Sequence, residues 1–166
     1  MVANDTPNFA PKGNIVAGVP RGTGVMVMAN DMVTVRGNTL VNNPTAQVLV
    51  VSYPREFTDK TYNPVPRHVL IDSNVVRGGG NEPQIPNAEQ LLAAFGGALP
   101  AVVWDGQGIQ PTVIGQDSHI LALGQSSSKI GMAQVKPGLV DARAKGRVVA
   151  ATPTGAPAAL DARARP

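Results

Sequence analysis

The sequence predicts a mainly β protein, a small barrel or sandwich with one short helix and extended terminal arms. Three observations carry this. Short runs rich in β-branched residues recur along the chain, each bounded by Gly, Pro, Asn or Asp. The 166 residues include 18 Gly and 15 Pro, well above the usual combined share of about 12%, and such frequent punctuation leaves little room for long helices. The apolar runs are not separated by helical patterns of the length that βαβ units need, which points to a barrel or sandwich.

Residues 1–14 read as an irregular N-terminal arm, broken by Pro7, Pro11 and Gly13. Ile15–Val19 and Val25–Met28 are short apolar runs on either side of the Pro20-Arg21-Gly22 turn. Met26 and Met28 share a strand face and suit an irregular core or a subunit contact. Met32–Arg36 alternates as a strand, Gly37-Asn38 turns, and Thr39–Val41 follows. Gln47–Tyr53, QVLVVSY, has the β-branched density of a strand buried on both faces or in a sandwich. Residues 54–66 hold three prolines and four charges and read as an exposed loop. Arg67–Ile71 and Asn74–Arg77 read as two strands about Asp72-Ser73. Gly78–Pro83 reads as a mobile connection, and it lacks the following Gly-Lys-Ser/Thr of a phosphate-cradling loop.

One helix is predicted near 88–95. Asn87 stands at its N-cap with Gln90 three positions on, the arrangement of a capping box. Leu91, Leu92 and Phe95 fall on one face, and Gly96-Gly97 ends the helix. So short a helix needs a partner surface, and a plug or lid over a sheet edge is expected. Pro100–Trp104 then leads into Asp105-Gly106, a strong turn signal, followed by strand-like Ile109–Ile114 and Ile120–Leu123. Lys129–Val135, Leu139-Val140 and Arg147–Ala151 complete the predicted strands. The organisation is an arm at 1–14, a β-rich domain at 15–151, and a C-terminal tail at 152–166. Residues 139–145 and 159–165 echo each other, but two copies in an Ala-rich end read as coincidence.

Composition narrows the function. The chain has no cysteine, which excludes disulfide scaffolds, cysteine-based metal centres and thiol nucleophiles. Net charge is +3, unevenly placed: the basic residues Lys129, Lys136, Arg143, Lys145 and Arg147 lie in the last part of the chain. They are separated by Ala, Pro and Gly rather than clustered, and aromatics are only 4%. A nucleic-acid-binding module is therefore an alternative but not the expectation. No apolar run approaches the roughly 20 residues of a spanning helix, and the first residues lack the basic and apolar regions of a secretory signal. No membrane association is expected.

Candidate chemistry is sparse. His68 has Asp72 four positions on, and His119 follows Asp117-Ser118. The latter trio contains the residue types of a nucleophile, base and orienter, but neighbours on a strand point to opposite faces, and no Gly-x-Ser-x-Gly elbow is present. A small hydrolase using His119 is the enzyme alternative. His68, Asp72, Asp117 and His119 could supply nitrogen and oxygen metal ligands, but not at a recognised spacing. No catalytic, cofactor or metal residue is assigned, no cofactor is expected, and the chain reads as non-enzymatic.

The stretch 98–123 adds a further signal. Val102, Val103, Trp104, Asp105 and Gly106, followed by Ile114 and Gly115, resemble a segment of bacteriophage head decoration, or cement, proteins. That resemblance covers about a sixth of the chain. It implies a protein that binds the outer surface of an assembled capsid, with the major capsid protein as partner and a homo-oligomer, a trimer, as the working unit. It also implies location on the virion after synthesis in the host cytoplasm. The longer chain, with its Pro-rich loop and helix, leaves another virion role, such as a tail subunit, as an alternative.

Overall fold

The computed structural model describes residues 1–53, 58–115 and 119–124, and the backbone of 138–141. The fold is mainly β, with parallel sheets and, among the described residues, a single short α-helix. The sheets enclose a common core in a small barrel- or sandwich-like arrangement.

The chain winds in stacked circuits. The first contains β1 (Thr23–Met28), β2 (Thr34–Arg36) and β3 (Thr39–Val41). The second contains β4 (Ala46–Val51), β5 (Leu70–Asp72) and β6 (Val75–Arg77). The third contains β7 (Val102–Trp104) and β8 (Thr112–Ile114), after which β9 (His119–Ala122) starts another turn and β10 (Gly138–Asp141) folds back on it. Corresponding strands pair into sheets of order β1-β4-β7-β9-β10, β2-β5-β8 and β3-β6. Among the described strands every pairing is parallel except β9 with β10. Each circuit thus rests on its neighbour, the construction of a solenoid.

Register stacks like on like. Val25, Val48, Val102 and Ile120 form one ladder, and Val27, Val50, Trp104 and Ala122 form the next. With Val35, Ile71 and Val113 from the second sheet they make the interior cluster. The alternate residues Leu49, Val103 and Leu121 face outward, yet they are buried too. They form a second cluster with Leu99, against which Ile85, Leu91, Leu92 and Phe95 pack. The first sheet is therefore covered on both faces, as parallel sheets require, which is why Val48–Val51 reads as a continuous apolar run.

Helix α1 (Ala88–Ala94) lies on the outer face of this sheet rather than over an edge. Leu91, Leu92 and Phe95 share its packed face as their spacing predicts. Asn87 occupies the cap position, but its backbone is left-handed and its side chain makes no capping bond, so the expected capping box does not form. At the other end Gly97 N–H donates to the Leu92 carbonyl with Gly96 and Gly97 at positive φ, a Schellman-type stop.

The corners also stack. Met32 and His68, Gly37 and Ser73, and Asn42 and Gly78 occupy equivalent places in successive circuits, and all six have left-handed backbone. This shortens two predicted strands. The alternation over Met32–Arg36 becomes strand only from Thr34, because Met32 turns the chain and stands 81% exposed. Arg67–Ile71 likewise reduces to Leu70–Asp72, with Arg67 making only an isolated bridge to Asp31. At the second corner Asn74 Oδ1 accepts from Asn38 N–H (2.9 Å) and Nδ2 (3.0 Å), and its own Nδ2 donates to the Val35 carbonyl.

The Gly78–Gly80 run is packed rather than loose. A Cβ on Gly79 would stand 2.5 Å from the Asn43 carbonyl, and one on Gly80 2.7 Å from that of Leu99. Gly80 N–H donates to Asn43 and its carbonyl accepts from Leu99. Beneath it, buried Gln47 donates to the Gly78 carbonyl and accepts from Asn43. In the loop expected to be exposed, residues 54–57 lie outside the described set, and Val65 and Pro66 are buried. The predicted strands 129–135 and 147–151 and the tail 152–166 also lie outside the described residues.

Candidate interaction surface

The N-terminal arm is partly built into the stack. Val2 bridges Val41 in parallel, and Ala3 N–H donates to the Val41 carbonyl. Asn4 then donates through Nδ2 to the Thr23 carbonyl, while its N–H donates to Asn43 Oδ1. From Asp5 the chain leaves the stack and returns at Arg21 as a closed loop.

This loop is tied at two points. Asn8 Nδ2 donates to the carbonyls of Val16 (2.7 Å) and Val19 (2.9 Å), spanning the short 3-10 turn Ile15–Gly18. Arg21 pairs with Asp5 on one side and with Glu82 on the other at 3.0 Å. Its N–H also donates to Gln84 Oε1. Two open clefts flank this tie: one of about 500 Å³ among Pro7, Asn8, Val19 and Gln84, the other of about 280 Å³ among Asn42, Gly79 and Asn81. The loop displays Phe9, which is 91% exposed, together with exposed Ile15 and Val16. A held loop carrying apolar side chains into solvent is suited to a protein contact.

The Trp104-Asp105-Gly106 segment faces the other way. Trp104 is buried in the interior cluster, and its Nε1 donates to the Gln107 carbonyl at 2.8 Å. Asp105 is also buried. Its Oδ2 accepts from the N–H and hydroxyl of Ser52, each at 2.6 Å, and its Oδ1 accepts from Gln107 N–H. The carboxylate thus joins one circuit to the next. Ile114 and Gly115 sit at the exposed end of β8.

His68 and Asp72 take different partners. Asp72 pairs with Arg36 Nε at 3.0 Å and accepts from the Ser73 hydroxyl. His68 instead donates from Nδ1 to Asp31 at 2.7 Å, with Arg67 on the other carboxylate oxygen at 3.1 Å. The His68 hydrogen bond, with Arg67 beside it, holds the Asp31 carboxyl below the usual carboxylate range. Sequence reading missed this pair because its members lie on different circuits; only the stacked register brings them together. His119 opens β9, exposed and opposite Asp141 in register. Asp117 and Ser118 lie outside the described residues, as do Lys129, Lys136, Arg143, Lys145 and Arg147. Among the described residues no three His, Asp or Glu side chains gather as a metal site needs, and no helix is long and apolar enough to cross a membrane. No family model, curated protein or solved structure matches the chain.

Proposed function

We propose that the chain is a non-enzymatic capsid decoration protein that binds the outside of an assembled head and stabilises it, with the major capsid protein as its partner. The observation that carries this reading is the tethered loop with Phe9 at its exposed tip. A clamp needs rigidity and apolar contact area, without chemistry. The stacked circuits supply the first; Phe9, Ile15 and Val16 supply the second. Large aromatics seated in a partner's pocket dominate most protein interfaces. Many copies on one lattice convert a modest single contact into firm attachment. The resemblance around Trp104 points to the same class of protein.

The test is co-sedimentation of the chain with assembled, undecorated heads. Phe9→Ser should weaken binding at least tenfold, because a truncated anchor removes 2 kcal/mol or more. Circular dichroism should be unchanged, since Phe9 makes no core contact. Equal binding by Phe9→Ser, or binding to tails in preference to heads, contradicts the proposal.

A further inference from the structure

The loop that carries Phe9 has no buried side chain: every residue from Thr6 to Pro20 is exposed or half-buried. Burial of apolar area therefore does not set its position on the stack, and polar ties do. Two kinds are present, with different effects.

The first kind is internal. Asn8 Nδ2 bonds the carbonyls of Val16 and Val19, Ala17 N–H donates to the Asn14 carbonyl, and Val19 N–H donates to that of Val16. These bonds close residues 8–19 into a head, and none of them reaches the stack. The head stands on two short lengths of chain, 5–7 and 20–21, whose feet are fixed. On one side Asn4 is bonded to Asn43 and Thr23. On the other, Arg21 N–H donates to Gln84 and the Arg21 carbonyl accepts from the Thr45 hydroxyl. A Cβ on the next residue, Gly22, would stand 2.5 Å from Pro44. A head on two neighbouring feet swings about the line joining them unless a third point holds it.

The Arg21 side chain supplies that point. Its Nη1 takes Asp5 on the first length of chain, and its Nη2 takes Glu82, beyond β6 on the second circuit. A planar guanidinium can hold two carboxylates in fixed geometry, which the point charge of a lysine does not. The Arg21 side chain is 23% exposed, so these pairs are less screened than ordinary surface pairs. Between Asp5 and Arg21 the one other ionisable side chain is Lys12, within the head, so no other ion pair can take over the tie.

We infer that Arg21 is a positioning latch for the contact loop. Bound to Asp5 and Glu82, it fixes the head on the stack; without the Glu82 pair, the head swings as a closed unit about its feet. What the head is for rests on the proposed function: a head held in one place before contact loses less freedom on binding. The latch itself is a property of the isolated chain and is tested there.

The native chain has no cysteine. A spin-label pair on Lys12→Cys, in the head, and Thr34→Cys, exposed on β2, therefore reads the position of the head against the stack. A single narrow distance peak is expected with Arg21 and Glu82 in place. Arg21→Gln and Glu82→Gln should each lose that peak, while hydrogen exchange at Ala17 and Val19 stays as slow as in the native chain, because the head remains closed. Arg36→Gln, which breaks the separate pair with Asp72, should keep the peak. If Arg21→Gln unfolds the first circuit, Glu82→Gln decides alone, since the Glu82 side chain is 63% exposed. A narrow peak retained in Glu82→Gln, or lost equally in Arg36→Gln, overturns the inference. On assembled heads, Glu82→Gln should bind about threefold more weakly than the native chain, the scale of one exposed ion pair. A lost peak in Glu82→Gln combined with no binding of the native chain to heads upholds the latch and contradicts the capsid reading instead.

Discussion

Asp105 shows how one residue can carry both a motif and a joint. Its buried carboxylate accepts three hydrogen bonds, two of them from Ser52 on the preceding circuit. Asp105→Ala leaves the buried Gln107 N–H and the partly buried Ser52 donors unpaired, and urea unfolding should show a loss of about 1–3 kcal/mol, the cost of one buried unsatisfied donor. Gly79→Ala should also destabilise, by more than the roughly 1–2 kcal/mol of left-handed backbone alone, because its Cβ would meet the Asn43 carbonyl at 2.5 Å. Neither effect was legible from the sequence: Asp105-Gly106 announced a turn, and Gly78–Gly80 announced freedom, but the partners of both lie on another circuit. Asp31 gives a pH signature. Its folded pKa is depressed by His68 and Arg67, so its stabilising contribution is complete above the ordinary carboxylate value near 4 and is lost as pH falls through the folded value. The stability difference between the native chain and Asp31→Asn should therefore be constant near neutrality and shrink below about pH 4; a difference that grows on acidification contradicts the assignment.

Individual elements were more readable than their arrangement. β4 was visible as a strand, buried on both faces or in a sandwich, and α1 by the spacing of Leu91, Leu92 and Phe95. Parallel winding was not, although a trace of it exists. Val35-Arg36-Gly37-Asn38 and Ile71-Asp72-Ser73-Asn74 are paired residue by residue at a constant offset. Segments of unequal length before β5 and β7 disrupt that offset elsewhere, so the repeat falls below what periodicity alone reveals. The helix depends on its sheet, since so short a segment is not stable in water by itself. Leu92→Asp should release it: hydrogen exchange at 88–94 should accelerate while β4 and β7 amides stay protected. Retained protection at 88–94 would mean that the outer apolar cluster does not hold the helix.

For the molecule as a whole, stacked circuits explain how a chain with few charges and frequent turns forms a core: each circuit covers the apolar ladder of the next. They also separate tasks. The Trp104 segment, the corner asparagines and the glycine run face the stack and maintain it, while the loop around Phe9 faces outward. Sequence reading placed an arm at 1–14. It could not show that residues 1–4 are bonded to the stack while the following loop is tied by Asn8 and Arg21, because those contacts are set by circuits far along the chain. The central claim is that this loop fastens a rigid β stack to an assembled shell. A reconstruction of the particle that carries the chain tests it most directly. The account predicts density for the stack on the outer shell at symmetry-related sites, with Phe9 seated in the major capsid protein. Density in the tail, no density on the particle, or a stack on the shell with Phe9 facing solvent would contradict it.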